Sequence, residues 1–128
     1  IDKSDFEKFN SFCYSQYYDL TNALIAYCEF RTMAAYYNLI ERVIELISDK
    51  VVDPYQIGTT LKVALKNWIL YSEAQCALDR ILVGSPAALF CRSSMAAEYY
   101  SKTIDLLTMD FLNYAYQSEL KALNIKQN

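Results

Sequence analysis

The chain contains no histidine, and only two glycines and two prolines among its 128 residues. Without histidine there is no Ser–His or Cys–His nucleophile pair, no globin-type haem ligand and no Glu-x-x-His di-iron motif. The two glycines, Gly58 and Gly84, cannot form a glycine-rich phosphate-binding loop. So few glycines and prolines also argue against a turn-rich β-sandwich or barrel. We therefore expect a protein that is not an enzyme and that has no cofactor and no metal site.

Neither sign of charge dominates, because the chain has 12 basic and 15 acidic side chains, which give a net charge of −3. Such a balance is too weakly basic to hold a phosphate backbone, so nucleic acid is not an expected partner. Lys62 and Lys66, one helical turn apart, are thin evidence for a phosphate or lipid-headgroup contact. Glu41, Glu45 and Asp49 share one helix face, but a single line of acids cannot surround an ion, which favours a solvated surface. No apolar run reaches the roughly 20 residues that span a bilayer, so no transmembrane segment is expected and peripheral membrane contact stays open.

Four cysteines, Cys13, Cys28, Cys76 and Cys91, are present, and none belongs to a C-x-x-C pair. A zinc site would need all four sulfurs to converge from distant helix positions. Cysteine packs as a small hydrophobe, so we favour free, mostly buried thiols in a reducing compartment, with disulfides as the alternative. This interpretation predicts an intracellular, cytoplasmic location. Cys13 and Cys28 are fifteen residues apart, as are Cys76 and Cys91, and we attribute this equal spacing to chance rather than to internal duplication.

Hydrophobic residues make up 54% of the chain, enough for one domain over residues 1–128, with residues 1–3 and 124–128 frayed. Apolar residues recur at steps of three and four, the spacing of an apolar seam along an α-helix. The clearest seam comprises Ala97, Tyr100, Ile104, Leu107, Phe111 and Tyr114, and another comprises Met33, Tyr36, Ile40, Val43 and Ile47. The predicted fold is an all-α antiparallel bundle of three to five helices with a long C-terminal helix.

Capping residues predict where the helices begin. Ser4 with Glu7 has the form of a capping box, and Asp53-Pro54 predicts a helix that begins at Pro54. The chain from Ser4 to Asp53 lacks glycine and proline, and a break at 19–22, a break at 29–32 and a continuous helix all stay open. Val83-Gly84-Ser85-Pro86 predicts a tight turn between two antiparallel helices. The helix before this turn has the expected core line Leu61, Leu65 (or Ala64), Trp68, Tyr71, Leu78 and Leu82.

Twelve tyrosines are present, and three pairs of them are adjacent in sequence. Neighbours on a helix point about 100° apart, so both members of a pair cannot lie on one seam. We therefore expect Tyr18, Tyr37, Tyr99 and Tyr116 on the flanks of their helices. Flank tyrosines either pack their rings with the hydroxyl in water or line a contact surface, where tyrosine is enriched.

Ala96-Ala97-Glu98-Tyr99-Tyr100-Ser101-Lys102-Thr103-Ile104-Asp105-Leu106 resembles the second helix of a tetratricopeptide repeat. The resemblance covers these eleven residues. The Trp, Leu-Gly and Tyr positions of a preceding repeat helix are missing, and no second copy follows at about 34 residues. The resemblance implies a helical module with a peptide-binding groove, and no family is assigned from it.

The sequence therefore favours a protein–protein interaction or adaptor domain, in which Tyr18, Tyr37, Tyr99 and Tyr116 are candidate partner-binding residues. Its partner is a helical segment of another protein or a second copy of the chain. The alternative is a small apolar ligand held between the helices in the bundle core.

Overall fold

The computed structural model describes residues 3–48, 56–109, 116–119 and 121–124. Its four long helices are α1 (Lys3–Ser15), α2 (Asn22–Ser48), α3 (Ile57–Leu82) and α4 (Ser85–Leu107). Residues 116–119 are also helical, and the described residues contain no strand. Helix α2 packs against α1, α3 and α4, and α3 packs against α4. The prediction of an all-α helical bundle is confirmed.

The first long segment breaks between Ser15 and Asn22, which is the first of the two predicted positions. Helix α1 ends in tight turns, because the amides of Gln16 and Tyr17 bond to carbonyls only three residues earlier. Thr21 then caps α2, since its hydroxyl oxygen accepts a hydrogen bond from the Leu24 amide at 3.3 Å. A short polar connection of this kind lets α1 fold back onto α2.

Helix α2 is the central element of the core. The predicted seam residues Tyr36, Ile40, Val43 and Ile47 are all buried, and Ile44 is buried beside them. Because three helices pack around α2, its buried surface is wider than one seam. The Phe6 ring of α1 stacks on Tyr36 at 3.9 Å between ring centroids, which joins the aromatic residues of two helices.

Helix α3 begins at Ile57, three residues later than the predicted start at Pro54. Gln56 has a left-handed conformation with φ 54°, so its backbone cannot continue a helix from Pro54. Asp53, Pro54 and Tyr55 lie outside the described residues, as do residues 1–2 and 125–128, where fraying was predicted. Gly58 fits closely against the end of α2: a Cβ at this position would meet the Ser48 hydroxyl and would lie 3.0 Å from the Ser48 Cα.

The connection between α3 and α4 is as short as predicted. Gly84 has φ 128°, a conformation that glycine adopts without the steric penalty of a side chain. Pro86 lies in the first turn of α4, where its missing amide costs no hydrogen bond. The seam from Ala97 to Tyr114 predicted a helix that continues past Leu107, but α4 ends there, and the Thr108 hydroxyl donates to the Ile104 carbonyl at 2.9 Å. Phe111 and Tyr114 lie outside the described residues.

Candidate interaction surface

All four cysteines are paired in the structure. Cys13 of α1 is bonded to Cys28 of α2, and Cys76 of α3 is bonded to Cys91 of α4. The prediction of free thiols is therefore wrong, and the equal spacing of fifteen residues was the signal for the pairing. Two antiparallel helices that meet near a short turn bring cysteines at this spacing face to face. The cytoplasmic location was inferred from free thiols and stays a prediction without that support.

The Cys76–Cys91 disulfide fixes which side of α3 faces the core. Cys76 is fully buried, and on the same side Leu61, Leu65 and Ser72 are buried. The predicted core line is wrong over the second half of the helix, because Tyr71, Leu78 and Leu82 are exposed. Ser72 is tolerated inside because its hydroxyl donates to the Ile69 carbonyl at 2.9 Å. The disulfide thus directs several large apolar side chains outward.

The outer side of α3 carries a continuous row of exposed residues, which we call the outer α3 face. Its seam comprises Val63, Asn67, Leu70, Ala74, Ala77 and Ile81, at alternating steps of four and three. Val63 and Leu70 are each 57% exposed and Ile81 is 78% exposed. From Val63 to Ile81 the seam is roughly 27 Å long at 1.5 Å per residue. Tyr71, Leu78 and Leu82 widen it on one side.

The other side of the outer α3 face is charged. Lys66, Glu73 and Arg80 recur every seven residues and are all exposed. Each precedes one seam residue, which is the position whose charges select partners in coiled coils. The outer α3 face therefore has the pattern of a helix-pairing surface: an apolar seam, one polar Asn within it and a charged edge.

A groove of about 450 Å³ lies between α2 and α3 beside this charged edge. Its apolar residues include Ile44, Leu65 and Leu70, and Leu70 also belongs to the outer α3 face. Glu41 and Glu45 line it from α2, and Lys62 and Lys66 line it from α3. The two predicted charge groups therefore face each other across one groove.

Tyr37 and Tyr99 are buried in the core, so their predicted flank positions are wrong. Helices α2 and α4 have neighbours on two sides, so both members of the pairs Tyr36-Tyr37 and Tyr99-Tyr100 meet another helix. Tyr99 packs on Trp68 with ring centroids 5.1 Å apart, whereas Tyr100 packs on Phe6 at 5.0 Å. Burial raises the pKa of Tyr37 and of Tyr99 above the ordinary value for tyrosine.

The other two candidate tyrosines have opposite environments. Tyr18 lies between α1 and α2 and is fully exposed, whereas Tyr116 is buried. The four candidates therefore do not form one surface, and a binding role for them stays a prediction. The outer α3 face was not predicted from the sequence, although a second set of three- and four-residue steps on the same helix was its signal.

Comparison with known proteins found no matching family model, no similar curated protein and no similar solved structure. Within the described ranges, no helix is long and apolar enough to cross a bilayer. The same residues contain no group of three or more His, Cys, Asp or Glu side chains placed to hold a metal ion.

Proposed function

We propose that this protein is a protein–protein interaction module that binds a helix along the outer α3 face. The observation that carries the proposal is the apolar seam from Val63 to Ile81, which stays exposed although its spacing is that of a buried helix contact. Burying a Leu or Ile side chain contributes roughly 1.5–3 kcal/mol. Burying exposed side chains such as Leu70, Leu78 and Ile81 against a partner helix would therefore stabilise the complex.

In its simplest form the partner is a second copy of the chain, with the two α3 helices antiparallel. When Leu70 faces Ile81 of the second copy, Ala74 faces Ala77 of that copy, and small residues at the centre allow close approach of the helices. In this register Glu73 lies beside Arg80 of the second copy, and the twofold axis repeats the pair. Apolar contact and charge are then complementary at the same time.

The test is the solution mass, measured by light scattering behind a sizing column over a hundredfold concentration range. We expect a dimer for the wild type and weaker association for Glu73→Arg, because two Arg–Arg contacts replace two Glu–Arg pairs. The double variant Glu73→Arg with Arg80→Glu should recover the dimer by exchanging the charges. Phe12→Glu is the matched control for Leu70→Glu and Ile81→Glu, because the exposed fraction of Phe12, 64%, lies between those of Leu70 and Ile81 but Phe12 is on α1.

Two results would contradict self-association through this face. One is a wild-type monomer throughout the concentration range, and the other is a dimer that Leu70→Glu and Ile81→Glu leave intact. A monomer that nevertheless binds a synthetic amphipathic helix, with the binding lost in Leu70→Glu but not in Phe12→Glu, would assign the face to a foreign helix.

Binding of a small apolar ligand between the helices is the second candidate function. The observation that favours it is the groove between α2 and α3, whose volume of about 450 Å³ suits a small molecule. Native mass spectrometry of the purified protein tests this candidate, and a spectrum without any co-purified molecule would count against it.

A further inference from the structure

Glu29 of α2 is a carboxylate buried where α1, α2 and α4 meet. Its side chain is 5% exposed, and it accepts hydrogen bonds from Asn10 Nδ2 at 2.9 Å and from Ser93 Oγ at 3.2 Å. Both donors are neutral. Among the described residues no basic side chain forms an ion pair with Glu29, although Arg92 lines a small cavity of about 30 Å³ with it. The structure therefore holds a buried carboxyl group that has no basic partner among the described residues.

Leaving a carboxylate in this state is costly. Removing it from water is unfavourable unless hydrogen bonds and an opposite charge replace the lost hydration. Asn10 is itself held in place, because the Thr32 hydroxyl donates to Asn10 Oδ1 at 2.9 Å. This network orients the carboxylate through neutral groups and supplies no positive charge. A positively charged ligand would supply the missing partner.

Glu29 lines an open cleft of about 270 Å³ between the three helices. A second carboxylate, Glu7, lines the same cleft from an exposed position on α1. The buried aromatic residues Phe6 and Tyr36 also line it. Among the residues that the structure describes, no basic side chain lines it. Carboxylates attract an ammonium group, and aromatic rings pack against its carbon skeleton or its charge. The cleft thus combines the groups that recognise an organic cation.

We propose that this cleft binds a small organic ammonium compound. The ammonium group donates hydrogen bonds to the carboxylates of Glu29 and Glu7, and its carbon skeleton lies against Phe6 and Tyr36. The volume is slightly below the usual range for drug-sized ligands, which favours a smaller molecule. The proposal does not depend on helix pairing, because the residues of the cleft and those of the outer α3 face are different.

The Cys13–Cys28 disulfide supports the same site. Cys28 directly precedes Glu29, and Cys13 lies one helical turn after Asn10. The disulfide therefore holds the α1 side of the cleft against the α2 side. A bond at this position preorganises the carboxylate and its amide donor before any ligand arrives.

The test is titration calorimetry and NMR of the oxidised full chain with phenethylamine, a nine-heavy-atom amine that is cationic at neutral pH. The probes 2-phenylethanol and 3-phenylpropionate supply a neutral and an anionic group of similar shape. We expect saturable binding of the amine alone, with shifted NMR signals of the Asn10 side-chain amide. Glu29→Gln should weaken binding at least tenfold, and Glu7→Gln at the exposed rim should weaken it several-fold.

The matched control is Glu98→Gln, because Glu98 pairs with Lys102 on the exposed surface of α4 and does not line the cleft. Circular dichroism verifies that each variant is folded, and Glu7→Gln keeps the test valid if Glu29→Gln does not fold. Three results would overturn the proposal: no binding of the amine at millimolar concentration, equal binding of 3-phenylpropionate, or equal weakening by Glu98→Gln. If Glu29 serves only to join the helices, Glu29→Gln changes the melting temperature and no amine binds.

Discussion

The two disulfides make a quantitative prediction, because they close loops of the same length. Each joins cysteines fifteen residues apart, and a loop of that size corresponds to about 3 kcal/mol of unfolded-state entropy at 25 °C. We therefore expect Cys13→Ala with Cys28→Ala, and separately Cys76→Ala with Cys91→Ala, each to lower the free energy of unfolding by about 3 kcal/mol. Alanine avoids placing a hydroxyl at Cys28 or Cys76, which are both fully buried.

Any difference between the two double variants must come from the folded state, since the entropic contributions are equal. The α3–α4 pair should lose more, because the Cys76–Cys91 bond sets the orientation that buries Ser72 and Cys76. Helix α1 packs chiefly on α2, so removing the Cys13–Cys28 bond should leave the packing of the other helices unchanged. Removing the α1–α2 bond should therefore cost close to the entropic value alone.

Urea unfolding followed by circular dichroism at 25 °C measures the free energy of unfolding of both double variants. In thermal unfolding, a loss of about 3 kcal/mol corresponds to a fall of roughly 10 °C in melting temperature. Wild type treated with a reductant should match a variant in which all four cysteines are alanine, and that variant should be insensitive to the reductant. A thiol count on the denatured wild type should find no free thiol. Four free thiols, or double variants that lose less than about 1 kcal/mol, would refute the reasoning.

Two further predictions concern the core. Gly58→Ala should destabilise the fold by about 1 kcal/mol in urea unfolding, because overpacking against Ser48 exceeds the gain of about 1 kcal/mol in helix propensity. Exposed Thr59→Ala should change little, and a stabilised Gly58→Ala would show that α2 and α3 can separate without cost. Burial, aided by the charge of Glu7, raises the pKa of Tyr36 to about 12, so the folded state keeps a proton that the unfolded state loses near pH 10. Stability should hold up to pH 10 and fall above it, with a shallower fall in Tyr36→Phe; equal slopes for the two proteins would contradict this assignment.

The sequence predicted the second half of α2 and the α3–α4 turn well because their local signals had one interpretation, whereas the start of α2 was left open between three alternatives. The apolar seam of α2 fits one helix phase, and Gly84 with Pro86 marks a turn whatever surrounds it. Helix α3 was predicted less well, because apolar residues lie on both of its sides. Periodicity alone could not decide whether the side of α3 with Leu78 or the side with Cys76 faces the core. The Cys76–Cys91 disulfide decides it, whereas free thiols were favoured at these positions from the sequence.

The buried tyrosines illustrate a different limit. A single sequence predicts which residues share a helix face, but not how many neighbouring helices cover that helix. Tyr37 and Tyr99 were placed on flanks because one seam was assumed for each helix, whereas α2 and α4 are covered on two sides. The buried Glu29 was missed for a similar reason, since its partners Asn10 and Ser93 come from two other helices.

The pairing of the cysteines also determines what a protease can separate. A cut anywhere between Cys13 and Cys28, or between Cys76 and Cys91, leaves both products joined by sulfur, so the exposed connections around Tyr18 and Gly84 can be nicked without loss of any piece. A cut between Ser48 and Ile57 divides the chain into two bodies, each with a pair of helices and its own cross-link. Those halves would then be held together by non-covalent contacts, chiefly those of α2 with α3 and α4, as a complex of two peptides rather than a single molecule.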